Sequence, residues 1–208
     1  NISNDGGERK LKEILDLIPG DPMSQELIDL VDWAAGFYAC SPSLFMPLAC
    51  GTRLKKPKDG SKFKVKSSKL EREQQKLFQT SAGISVIRWT DYEWRDSFLQ
   101  KTAQDHVDSQ KQLMILCPTM NRCRELYDVV QHIDTTVLLT SETGKRAEVA
   151  TRERLRDCSA LIAIGTRSLA FAEMPALATI LVDKSHRDEH AQYDMNPRYD
   201  ARTIAYKR

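Results

Sequence analysis

"ATILVDKSHRDEH", residues 178–190, is the stretch on which the fold turns. An apolar run, Ala178 to Val182, handed directly to Asp183 is how a parallel strand delivers a carboxylate to the ligand-bearing end of an open α/β sheet. Asp after a hydrophobic strand is also an ordinary way to open a turn, so the reading depends on what stands upstream. There, strand and helix patterns alternate. A strand "ISVIRW" (84–89) is followed by a helix from Tyr92 to His106, a strand "QLMILC" (112–117) and a helix from Arg122 to His132. A strand "TTVLLT" (135–140), a charged helix from Lys145 to Arg156 and a strand "ALIAIG" (160–165) then lead into "ATILV". Apolar, β-branched strands without a polar face, alternating with helices, predict a parallel sheet covered on both sides.

Upstream of that lobe the first fifty residues read as helical. Leu11, Ile14 and Leu15 share one face, and Leu27, Ile28, Leu30, Val31, Trp33, Ala34 and Phe37 recur at spacings of three and four. Ser24 stands where an N-cap belongs, with Glu26 in the first turn. A sharp change of composition follows in "GTRLKKPKDGSKFKVKSSKL" (51–70), where Arg53, Lys55, Lys56, Lys58, Lys62, Lys64, Lys66 and Lys69 face only Asp59. This is an anion-binding surface hidden inside a net charge of only +2. The expected organisation is a helical segment over 1–50, a basic linker over 51–68 and an α/β lobe over 69–208. A helix "SKLEREQQKLFQTS" opens the lobe.

Composition narrows the class. With 208 residues and 41% hydrophobic content, the chain buries one core, or one core and a small appendage. Its five cysteines form no CxxC pair, which argues against a zinc cluster or a disulfide framework and for reduced, intracellular thiols. No apolar run approaches the roughly 20 residues of a membrane span, and the amino terminus is polar, so the expected location is cytoplasmic, away from membranes. The chain starts at Asn1 rather than Met, which leaves open that it is a piece of a longer protein.

Four strand ends carry candidate chemistry. "RWTDYEWRDS" (88–97) occupies the turn from the first strand to its helix, where a phosphate cradle needs glycine, a lysine and a hydroxyl for magnesium. It has neither glycine nor lysine. Trp89, Tyr92 and Trp94 obstruct phosphates there and Asp91, Glu93 and Asp96 repel them, while the rings either pack on a neighbouring helix or stack on bases. "CPTMNR" (117–122) offers Thr119, Asn121 and Arg122 to a backbone phosphate, or Thr119 or Asn121 as a plain helix cap. "IGTRS" (164–168) combines a glycine that permits close backbone approach with Thr166, Arg167 and Ser168 as phosphate donors. In "NPRYDAR" (196–202), Arg198 and Arg202 flank Tyr199 as a candidate nucleic-acid contact. No nucleophilic constellation emerges. His186 and His190 lack further ligands for a metal, so no metal site is expected.

Taken together and in order, these stretches resemble the PriA family of primosomal replication-restart helicases, members of helicase superfamily two. "IGTRS", then "ATILVDKSH" in place of a strand ending Asp-Glu-Glu-His, then "NPRYDARTIAYKR" carry the resemblance most specifically. "LEREQQKLF" and "LIDLVDWAAGFYACSPSLFMPLA" extend it upstream. The resemblance implies a RecA-like first helicase lobe, and its departures fall on the catalytic residues. Trp94 stands where the phosphate-loop lysine belongs, Arg95 where the magnesium-binding hydroxyl belongs, and Lys184 and Ser185 replace two glutamates between the surviving Asp183 and His186. Phosphoryl transfer is nearly all positioning and charge stabilisation, so these losses together remove many powers of ten in rate. The implied function is that of a PriA-like primosomal protein in replication restart. It binds forked or single-stranded DNA through Lys62, Lys64, Lys66, Arg122, Thr166, Arg167, Arg198 and Arg202, alongside other replication proteins. ATP and Mg2+ enter only if the degenerate site still works. Two other readings stay open: an active ATP-dependent 3′–5′ helicase of which this is a fragment, and a non-enzymatic primosome scaffold.

Overall fold

The computed structural model describes residues 23–51, 83, 85–89 and 91–208. Lys62, Lys64, Lys66, the rest of the basic stretch after Gly51, the Leu11 face and "LEREQQKLF" lie outside the described residues. Helix α1 (Gln25–Phe37) begins where Ser24 caps it, its side chain accepting from Leu27 N, and buries Leu27, Leu30, Val31, Ala34 and Ala35 on one face. A 3-10 turn (Pro42–Leu44) and the short α2 (Met46–Cys50) follow. α2 stops at Gly51, whose φ of +68° and close approach to the Arg152 side chain both favour a residue without Cβ.

α3 (Tyr92–Asp108) leads into β1 (Gln112–Leu116), every residue of which is buried. α4 (Met120–Val130), β2 (Thr136–Leu139), α5 (Lys145–Arg156), β3 (Ile162–Gly165), a 3-10 turn (Arg167–Phe171) and β4 (Leu177–Val182) complete the alternation. The four strands form one sheet in the order β2-β3-β1-β4, all parallel, with Ile115 opposite both Ile164 and Leu181. Alternate residues of β1 serve two cores. Leu113 and Ile115 join Leu99, Ala103, Leu126 and Val130 of α3 and α4 on one face. Met114 and Leu116 join Leu30, Ala34, Phe45, Leu155, Phe171 and Ile204 on the other. Fully burying such a side chain is worth about 1.5–3 kcal/mol, so two covered faces supply the bulk of the stabilisation. The molecule is thus a mixed α/β structure, its parallel sheet covered on both faces, and α1 and α2 contribute to the same core as the sheet.

Right-handed crossovers fix where the sheet opens. The β1 to β2 connection runs over one face through α4, while β2 to β3 and β3 to β4 return over the other through α5 and the 3-10 turn. β1 and β3 are neighbours whose exits therefore diverge, and a crevice in such a sheet lies at the carboxyl ends of the diverging strands. Here those ends are Cys117–Thr119 and Gly165–Thr166. Buried Gln112 pins the opposite edge, donating to the Leu155 and Ala160 carbonyls at 2.7 and 3.0 Å and accepting from Ala176 N at 3.0 Å.

One expected strand does not form. Residues 85–89 carry no regular structure, and Val86 is 92% exposed. The apolar, β-branched run has the composition of a strand, but among the described residues β4 pairs only with β1 and residues 85–89 do not add to its outer edge. Beyond β4 the chain forms a 3-10 turn (Asp188–His190), the two-residue antiparallel pair β5 (Ala191–Gln192) and β6 (Tyr199–Asp200), and α6 (Ala201–Lys207).

Candidate functional site

Asp183 stands one residue past β4, its backbone N–H donating to the Leu116 carbonyl at 2.9 Å, which fixes it at the carboxyl edge of the sheet. Its carboxylate does not face open solvent. Arg122 Nε donates to one oxygen at 2.7 Å and Nη2 to the other at 3.0 Å, and Nη1 donates to Glu125 at 2.7 Å. The local sequence places Arg122 here: β1 ends, Thr119 caps α4 by accepting from Arg122 N at 3.3 Å, and the first helical turn swings the guanidinium towards β4. The pair is sequestered, with the Arg122 side chain 3% and the Asp183 side chain 10% exposed. The hydrogen bonds that Arg122 donates to Asp183 raise the Arg122 pKa further above its ordinary value, against the opposing effect of burial. Both carboxylate oxygens of Asp183 are engaged by the Arg122 guanidinium.

The segment after β4 is held from three sides. Lys184 takes a left-handed conformation (φ 47°) to begin the turn. His190, fully buried, meets the Asp183 carbonyl through Nε2 at 2.8 Å. Arg167 donates to the Ala191 carbonyl at 2.8 Å, and Arg202 donates to the Ser185 carbonyl at 2.8 Å while chelating Asp200. His186 is exposed, and no helix spans 186–190, so the two histidines do not share a helical face. Among the described residues no group of three or more His, Cys, Asp or Glu side chains gathers as metal ligands, and all five cysteines are free.

His190 gives this segment a pH dependence. With Nε2 donating to the carbonyl, Nδ1 is buried without a partner. Burial pushes the imidazole below its ordinary value of 6.5, helped by Arg202 and opposed by the Asp183 carbonyl and the charges of Asp200 and Asp183. The unfolded chain therefore binds the proton first. Stability is full above the unfolded value and falls as pH drops through it, with a slope of up to about 1.4 kcal/mol per pH unit. Urea midpoints measured from about pH 7.5 to 5 should show this slope, and His190→Gln should flatten it.

The turn into α3 is aromatic. Asp91 caps the helix by accepting from Glu93 N at 3.0 Å. The Arg95 guanidinium lies 5.4 Å from the Trp89 ring and 5.0 Å from the Tyr92 ring, and forms an ion pair with Asp96. Trp89 also lies 5.9 Å from the Arg122 guanidinium, which places this turn beside the Asp183 pair. Trp94 stacks on Phe98 of its own helix at 5.4 Å and 11°.

The residues singled out in the sequence thus separate. Arg122 and Asp183 come together as an internal pair. Thr166, half-buried, opens the 3-10 turn after β3, Arg167 and Arg202 brace the loop after β4, and Arg198 is exposed. Sequence reading missed Glu125 and the bracing role of His190. The Arg122–Glu125 spacing of three on a helix was the available signal for the first; the second had none.

The fold and site define an α/β protein whose parallel sheet fits a nucleotide-binding fold, with an arginine-neutralised carboxylate at its carboxyl edge. No family model matches the chain. Over 47 residues it is 43% identical to the Replication restart protein PriA of Synechocystis sp., a match covering 23% of this chain and 6% of that protein. The similarity is a PriA-like relationship over a small part of the relative's length. Among the described residues no helix is long and apolar enough to cross a membrane.

Proposed function

We propose that the chain is a PriA-like, RecA-like lobe that binds DNA in replication restart without hydrolysing ATP. The observation that carries the replication reading is the 43% identity to PriA over 47 residues. The pairing of Asp183 with Arg122 supports the loss of ATP chemistry, because a carboxylate held at both oxygens has to break a buried ion pair before it meets magnesium. Thr166 after β3 and the exposed Arg198 supply phosphate contacts, Arg167 and Arg202 brace the loop after β4, and Lys62, Lys64 and Lys66 add a sequence-independent electrostatic grip. Arg122 serves inside the fold.

Fluorescence anisotropy of a labelled forked DNA across a salt series tests the reading. Binding should weaken linearly in log affinity against log salt, ignore magnesium-ATP, and lose about 2–3 of its slope when Lys62, Lys64 and Lys66 become Ala together. An ATP-dependent shift would favour an active helicase fragment instead. Absence of binding at low salt would favour a protein scaffold.

A further inference from the structure

We infer that the turn into α3 is a stacking platform for the unpaired bases of a single-stranded nucleic acid. The inference rests on the DNA-binding reading and deepens it by assigning the bases a place. Four observations converge on Arg88 to Phe98. Tyr92 and Trp94 are 63% and 47% exposed, so neither ring is packed away under a neighbouring helix. Trp94 and Phe98 are nearly parallel and stacked, with ring centroids 5.4 Å apart, so the i,i+4 spacing of α3 backs one face of the Trp94 ring with a second aromatic. Arg95 lies 5.4 and 5.0 Å from the Trp89 and Tyr92 rings, whose centroids are 5.6 Å from each other, so the three side chains form one cluster. Finally, a cavity of about 280 Å3 opens between Arg88, Trp89, Asp91 and Trp94. That is below the roughly 300 Å3 at which drug-sized pockets begin and has room for one planar ring system.

Charge decides which part of the strand this surface takes. Asp96 is neutralised by Arg95 and Asp91 is engaged by a helix N–H, yet the acidic rim of Asp91, Glu93 and Asp96 still disfavours phosphates. Bases are uncharged, every base has a π-face, and stacking on aromatic residues is tolerant of sequence. Arg88 and Asp91, on the cavity wall, offer a donor and an acceptor to a base edge. The phosphates then run towards the basic side chains elsewhere on the molecule.

The test uses the full chain and a single-stranded oligothymidylate of about 12 nucleotides, within the usual range of single-strand site sizes. An abasic backbone of equal length, free thymidine and oligolysine are run beside it. Tryptophan quenching and anisotropy report binding. Tyr92→Ala and Trp94→Ala change exposed positions, and circular dichroism checks that they fold. Each should weaken the oligothymidylate about tenfold or more while leaving the salt slope unchanged, because no phosphate contact is lost. The abasic backbone should bind the wild-type chain as weakly as oligothymidylate binds the double variant. Oligothymidylate binding that both variants leave untouched would overturn this inference while sparing the DNA-binding reading, whereas absence of any binding would overturn both. Equal quenching by free thymidine at the same base concentration would overturn the strand assignment. Quenching by oligolysine alone would assign the platform to a cationic peptide.

Discussion

Asp183→Ala should cost about 3–5 kcal/mol of stability, the amount that follows from leaving a buried guanidinium without its partner. Arg122 has only 3% of its side chain exposed, and its remaining carboxylate, Glu125, is 60% exposed and screened by water. Asp183→Asn, which keeps an acceptor oxygen and loses the charge, should cost less. Replacing both partners together, as Arg122→Met with Asp183→Leu, should recover most of the loss, because apolar side chains of similar volume remove the desolvation penalty along with the attraction. Urea denaturation of Arg122→Met, of Asp183→Leu and of the double variant gives the coupling directly. The same proteins settle what the carboxylate is for. A residue whose role is to hold magnesium would leave the urea midpoint of Asp183→Ala unchanged and abolish metal-dependent nucleotide binding, and that outcome would sink the structural role assigned here.

The Asp183 pair also marks how far the sequence is readable. Ala178 to Val182 followed by Asp183 does end a parallel strand at the carboxyl edge, and "QLMILC", "TTVLLT" and "ALIAIG" do form its neighbours, because a strand covered on both faces has a period-free apolar signature that needs no partner to be seen. The helix over Lys145–Arg156 and the caps at Ser24 and Thr119 are legible for the same reason: the physics is local. "ISVIRW" has that signature too and stays outside the sheet at 85–89, since composition alone does not decide which apolar runs pair. The fate of Arg122 was equally hidden. A cation after a strand resembles a phosphate contact, and the carboxylate that claims it lies 61 residues away in the chain. Long-range partners of charged side chains are set by the order of strands in the sheet, which a single sequence leaves open.

Gly165, the glycine of "IGTRS", should resist substitution for a reason the sequence does not display. A glycine after a strand reads as room for a phosphate, but the structure fills that room with protein. A Cβ at Gly165 runs into the carbonyl oxygen of Leu139, its neighbour across the β2–β3 pairing, and stands 3.0 Å from Leu169 Cβ. Gly165→Ala should therefore overpack the sheet and cost about 3 kcal/mol. In a chain of this size such a loss lowers the thermal midpoint by about 6–12 °C. The folded fraction should keep its DNA affinity and salt slope. A glycine retained for close approach to a phosphate would behave in the opposite way, losing affinity at an unchanged midpoint. The companion change Leu169→Ala tests whether trimming a side chain can relieve the crowding. Trimming that side chain keeps its Cβ and removes only the atoms beyond it, so it relieves neither the Cβ contact nor the clash with the Leu139 carbonyl, which belongs to the backbone of β2. Leu169 is fully buried, so its truncation carries its own cost, and the two losses should add in the double variant, because the obstacle at Gly165 is the pairing of two strands rather than a side chain that can move.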